Sequence, residues 1–202
     1  MSALLPSRGA SVAHCPLVFS RRGLNLESFQ RYLEAGVNLS IGTDTYPQDI
    51  IEEMKFASII GKVADGDFEA ATSRDVFNAA TLGGARALRR DDLGRIAPGA
   101  KADLVIVDFN KLRVGPFLDP IKALVQCGTG ELVKQVIVAG RTVVQDGIVL
   151  GCAEDEALAG VRASTESAWG RFAEYHHGPE PLDVAYPPAF KTWIEPDEPA
   201  GR

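Results

Sequence analysis

With 202 residues, 46% of them hydrophobic and 24% charged, the chain can bury one core of ordinary size or two small ones, and is too apolar to be disordered or collagen-like. A formal charge of −6 and a pI near 5.1 argue against nucleic acid or an anionic membrane surface as the main partner and favour a small-molecule substrate. Three cysteines (Cys15, Cys127, Cys152) without metal-type spacing read as buried free thiols of a cytoplasmic protein, and no apolar run near 20 residues suggests a membrane span.

Taken in chain order, residues 2–8 read as the end of a helix that begins before Met1 and stops at Gly9. Ala10 to Cys15 form a short strand that Pro16 ends, and Leu26 to Ala35 an amphipathic helix with Leu26, Phe29 and Leu33 along one stripe. Gly36 turns the chain into the segment from Val37 to Asp44. There Val37, Leu39 and Ile41 share one face at period two, and Asn38, Ser40, Gly42 and Asp44 share the other. In a parallel α/β barrel the apolar face meets the surrounding helices, so the polar face ends in a carboxylate at the C-terminal mouth, where such barrels keep their chemistry. On side-chain habits alone an Asp followed by Thr45, Tyr46 and Pro47 reads more readily as a turn residue or helix cap, and it is the segments on either side that favour a functional role.

Ile50 to Val63 is a second helix, with Ile51, Met54 and Ala57 on its apolar face and Glu52, Glu53 and Lys55 elsewhere. A third starts at Thr72, where Asp75 completes a capping-box pattern, and runs towards Leu88. Alternating strands and helices are the rhythm of a parallel sheet. Beyond Leu93 the period changes. Ala102 to Phe109 is apolar at nearly every position, as for a strand buried on both faces. Leu132 to Val138, Arg141 to Gln145 and Ile148 to Leu150 form a meander, turning at Ala139-Gly140 and Asp146-Gly147. Residues 154–175 read as one more helix, and the tail after Gly178, with six of the 12 prolines, as extended, clamped by Phe190 and Trp193. His176 and His177 point about 100° apart on a helix end, which places them at the surface rather than on one metal.

Three ordered segments carry a family resemblance: Val12-Ala13-His14-Cys15-Pro16, Gly42-Thr43-Asp44, and the stretch from Leu93-Gly94-Arg95-Ile96-Ala97-Pro98-Gly99 to Ala102-Asp103-Leu104-Val105. Together, over roughly residues 2–150, they resemble the metal-dependent amidohydrolase superfamily, in its aminohydrolase and chlorohydrolase branch with guanine- and cytosine-type deaminases. The resemblance implies an α/β chain holding the last two βα units of a (β/α)8 TIM-type barrel (residues 1–92), a small β-sandwich-like domain (93–151), and a C-terminal helix with an extended tail (152–202). It also implies hydrolysis of a C–N or C–Cl bond of a small nitrogen heterocycle or amide. Asp44 is then metal ligand and proton shuttle, the metal is divalent with Zn²⁺ ahead of Fe²⁺, and His14, Thr45 and Tyr46 contact substrate. A homo-oligomer is expected. Such a metal site takes a His-x-His pair and further histidines, yet the chain has three histidines and no His-x-His. The chain is therefore expected to be the C-terminal part of an enzyme, inactive by itself; the alternative is a non-catalytic remnant acting as an assembly or binding module.

Overall fold

The computed structural model describes residues 9–25, 28–178 and 180–190, and the chain divides into two compact units, residues 1–150 and 151–202. The expected helix end at residues 2–8 lies outside the described residues.

In the first unit, β1 (Ser11–His14) and β2 (Asn38–Ile41) pair in parallel, with Ser11 opposite Asn38 and His14 opposite Ile41. Two helices connect them. α1 (Pro16–Ser20) is absent from the sequence reading: Pro16 ends the strand, but its fixed φ and missing N–H also suit the first position of a helix. α2 (Phe29–Glu34) starts where the Ser28 hydroxyl accepts the Arg31 N–H, later than the periodicity alone indicates. The apolar face of β2 meets helices as expected, since Leu39 joins Phe29, Met54, Ala57, Val76 and Val125 in the buried core.

α3 (Ile50–Asp65) is capped by Asp49, whose carboxylate accepts from the N–H groups of Ile51 and Glu52, and it ends at Gly66 in the left-handed conformation. α4 (Ser73–Asn78) starts with the Thr72–Asp75 capping box, both reciprocal bonds being formed. It runs through a π-helical turn (Ala79–Gly83) into α5 (Gly84–Ala87). That turn crosses β2 at contact distance: a Cβ on Gly83 would stand 1.8 Å from the Leu39 carbonyl oxygen, and the Asn38 amide donates to the Gly83 carbonyl at 3.0 Å. Only glycine admits this approach.

The rest of the unit is one antiparallel sheet in the order β3 (Leu104–Val107), β4 (Val133–Val138), β5 (Arg141–Gln145), β6 (Ile148–Val149). The meander stands where its turn signals placed it, with Ala139, Gly140, Asp146 and Gly147 all at positive φ. Two expectations are corrected. The described residues form a single sheet there, without a second sheet facing it as in a sandwich. β3 is not buried on both faces either: Val105 and Ile106, which point to opposite faces, are 57% and 44% exposed. Between β3 and β4 lies α6 (Pro120–Cys127), another helix with proline in its first position, here with Asp119 as its cap. Of the cysteines, all free, Cys15 and Cys127 are half-buried and Cys152 is exposed, so burial is not their common state.

In the second unit α7 (Glu154–Gly170) begins with three acidic residues, as its dipole favours, and none of its residues is buried. Arg171 interrupts the expected single helix before α8 (Phe172–Tyr175), and the tail contains a helical turn, α9 (Leu182–Ala185), in place of a wholly extended course. Phe172, Tyr186, Trp169 and His176 stack around one another with ring centroids 5.0–6.4 Å apart. Phe190, expected to clamp the tail, is 87% exposed, and Trp193 lies outside the described residues.

Candidate functional site

Parallel pairing brings the C-terminal ends of β1 and β2 to the same edge, which is where the sequence places its candidates. The Gly42 N–H donates to the His14 carbonyl at 3.0 Å, extending the ladder one residue beyond β2 before the chain turns. Asp44 follows in the left-handed region at φ 47°, a conformation that Asp tolerates better than most side chains, and its carboxylate is exposed. Thr45 is half-buried and Tyr46 is exposed; the Tyr46–Pro47 peptide is cis.

Arg21, the residue closing α1, binds this turn. Its guanidinium donates to the Thr45 hydroxyl at 3.3 Å and to the Tyr46 carbonyl, and lies 5.0 Å from the Tyr46 ring centroid. Arg21 is thus part of the site's architecture, though nothing in its local sequence marks it.

His14 stands elsewhere. Its register partner is Ile41, so it shares the apolar face of the pair with Val12 and Leu39, while Ser11 and Ala13 take the exposed face. It is 3% exposed, edge-on to Phe29 at 5.4 Å, and its Nδ1 has no partner among the described residues. Burial pushes its pKa down to about 4 and keeps the ring neutral. His14, expected to contact substrate beside Asp44, is turned by strand alternation into the helix layer, apart from the Asp44 turn.

Glu53 of α3 is the buried polar residue that the sequence reading assigned to the outer face of its helix. It is fully buried because it falls on the i, i+4 series with Ala57 and Gly61, a stripe that could have flagged it. One carboxylate oxygen accepts the Leu17 N–H at 3.3 Å and the other is unpartnered. Burial pushes its pKa up to about 7, against the opposing pull of the Leu17 N–H and the Arg21 charge. Burial, then the charges of Glu53 and Asp44, also raise the Cys15 thiol.

An open apolar groove of about 1120 Å³ runs past Ile50, Met54, Ile96, Val105 and Ile121, and neither Asp44 nor His14 lines it. No three His, Cys, Asp or Glu side chains among the described residues are gathered so as to hold a metal ion. Among the described residues Asp44 has no companion donors, the buried His14 being turned away from it, so those residues do not make a metal site by themselves.

The family model described as the amidohydrolase family matches residues 2–143. A 5-methylthioadenosine/S-adenosylhomocysteine deaminase of Natronomonas pharaonis is 37% identical over 147 residues, 71% of this chain and 34% of that protein. A 5′-deoxyadenosine deaminase of Methanothermobacter thermautotrophicus is 38% identical over 148 residues, again 71% of this chain and 34% of that protein. Among solved structures, a zinc-bound adenosine deaminase of Xanthomonas campestris superposes with a TM-score of 0.79 at 30% identity, over 82% of this chain and 39% of the other. A zinc-complexed atrazine chlorohydrolase of Arthrobacter aurescens shares the fold, with a TM-score of 0.72 at 23% identity over 80% of this chain and 37% of the other. The chain spans about a third of the length of the curated relatives it matches. No helix among the described residues is long and apolar enough to cross a membrane.

Proposed function

The chain belongs to the amidohydrolase family, and from that premise we propose that it supplies the Asp44 carboxylate to the active site of a hydrolase that deaminates an adenine-type nucleoside. The observation that carries this reading is the position of Asp44: an exposed carboxylate on a constrained turn, just past the C-terminal edge of a parallel strand pair. The named deaminase relatives favour release of ammonia over release of chloride, because the chlorohydrolase likeness extends to fold alone.

In this reading Asp44 takes a proton from the water that adds to the amino-bearing sp² carbon. It then returns that proton to the departing nitrogen, so ammonia leaves and the ring carbon keeps the oxygen. Thr45 and Tyr46 border the same opening, and His14 supports β1 from behind as a neutral, buried ring. A divalent metal, Zn²⁺ ahead of Fe²⁺, belongs to the complete site, with Asp44 as one ligand and the others outside this chain.

The test is a chimera in which this chain's residues 2–143 replace the matching segment of the Methanothermobacter deaminase. Ammonia release from 5′-deoxyadenosine is then measured per bound metal ion. Asp44→Asn keeps the shape and removes the base, so turnover should fall by roughly two to four orders of magnitude, the usual worth of a positioned base. A turn or capping role predicts turnover within a few-fold of the parent, because Asn turns and caps nearly as well as Asp. A folded, metal-loaded but inactive parent chimera would support the non-catalytic reading.

A further inference from the structure

We propose, resting on the assignment of Asp44 above, that Glu53 and Arg21 are positioning residues that act through α1 to hold the Asp44–Tyr46 turn in place. Neither touches the Asp44 carboxylate in the contacts described. They grip the two ends of one short helix.

At the N-terminal end, Cys15 occupies the cap position of α1 but makes no side-chain capping bond. The exposed turn of backbone donors that every helix start leaves is met instead from another helix, by the Glu53 carboxylate on the Leu17 N–H. Leu17 and Val18 are buried, so α1 is seated against α3 by both packing and this bond. At the C-terminal end, Arg21 closes α1 through its own N–H to the Leu17 carbonyl and then crosses to the turn. There it ties down a hydroxyl, a backbone carbonyl and an aromatic face of the two residues directly after Asp44. A guanidinium suits this task because its planar fork serves two acceptors while stacking on a ring; an ammonium cannot do both.

The turn needs such a hold. Asp44 lies at positive φ, a conformation that Asp tolerates but that still costs more than ordinary backbone, so contacts on the flanking residues help to fix it. Tyr46, the residue that Arg21 grips most extensively, is 79% exposed and has little burial to hold it otherwise. The path therefore runs from Glu53 to the Leu17 amide, along about one turn of helix to Arg21, and from Arg21 to Thr45 and Tyr46. It places a buried carboxylate in control of an exposed one.

Backbone ¹⁵N order parameters of the full 202-residue chain test this without metal or substrate, because they report how tightly a peptide unit is held whether or not its N–H is bonded. Arg21→Ala should lower the values at Thr45 and Tyr46 from about 0.85 to below about 0.6, leaving those of the α3 core unchanged. Arg21→Lys should not restore them. Glu53→Leu should loosen the same turn, whereas Glu53→Gln, which keeps an acceptor for the Leu17 N–H, should preserve it. A purely packing role for Glu53 would separate Gln and Leu by overall melting and not by order at the turn. Unchanged order parameters in Arg21→Ala, or values at the turn in Glu53→Leu equal to the parent's, would overturn the proposal. If Glu53→Leu does not fold, the Arg21 variants decide it. Because the measurement needs no turnover, the relay can fail while the Asp44 chimera succeeds, and the reverse.

Discussion

Replacing Glu53 with Gln should stabilise this protein at pH 7.5 and leave it almost unchanged at pH 4.5. The Glu53 carboxyl is held near 7 in the fold against an ordinary value of 4.5, because it is fully buried. A folded-state pKa raised above the unfolded value means that the stability it contributes is fully present below about pH 4.5. That contribution is lost as pH rises to about 7. At about 1.4 kcal/mol per tenfold change in proton affinity, the loss is about 3 kcal/mol. Gln mimics the protonated form at every pH, so it removes the loss. His14 works in the opposite sense: its pKa is depressed from 6.5 to about 4, so its contribution is present above pH 6.5 and is lost as pH falls towards 4, again by about 3 kcal/mol. Between about pH 4.5 and 6.5 the two slopes oppose each other, and the parent protein should show a nearly flat profile there. Each variant exposes the other group. Thermal melts followed by circular dichroism at pH 4.5 and 7.5 are sufficient, since about 3 kcal/mol in a chain of this size corresponds to roughly 6–12 °C. Glu53→Gln should gain most of that at pH 7.5, and His14→Asn at pH 4.5. Parallel melting profiles for the parent and Glu53→Gln would refute the argument, since the burial of Glu53 would then carry no proton linkage.

Gly83→Ala should cost about 3 kcal/mol or more, because the added methyl carbon would lie 1.8 Å from the Leu39 carbonyl and one backbone must move. The adjacent Gly84→Ala meets nothing within 4 Å and should be neutral or stabilising by up to about 1 kcal/mol, so urea melts of the pair separate close approach from helix propensity. The open groove and the unpaired edges of β1 and β2 predict self-association; light scattering should give a mass above the 21.6 kDa monomer, and a monodisperse monomer without dye-binding apolar surface would contradict this.

Local chemistry was legible in the sequence wherever it is decided by neighbours in the chain. The Thr72–Asp75 box and the Asp146-Gly147 turn stand as read, because each depends on a bond or a φ within a few residues. Alternation along Val37 to Asp44 likewise separated the core-facing residues of β2 from the edge that carries Asp44. The short helices α1 and α6 were missed although each opens on a proline in the first helical position, since periodicity needs more residues than they have.

What the sequence determined by itself is therefore the order of the longer elements, the family, and the candidate carboxylate at the end of β2. Only the tertiary structure decided which face His14 takes, since the register of β1 on β2 turns it towards Phe29 rather than towards Asp44. The same holds for Glu53 and Arg21: residues 36 and 24 or 25 positions from their partners are joined by the packing of α1 on α3 and across to the turn after β2. Nothing in the local pattern encodes those distances. β3 shows the converse, because its apolar sequence implied burial on both faces, yet Val105 and Ile106, on opposite faces, are both exposed. Hydrophobicity records which residues prefer to leave water, but the partners that cover them are supplied by chain topology.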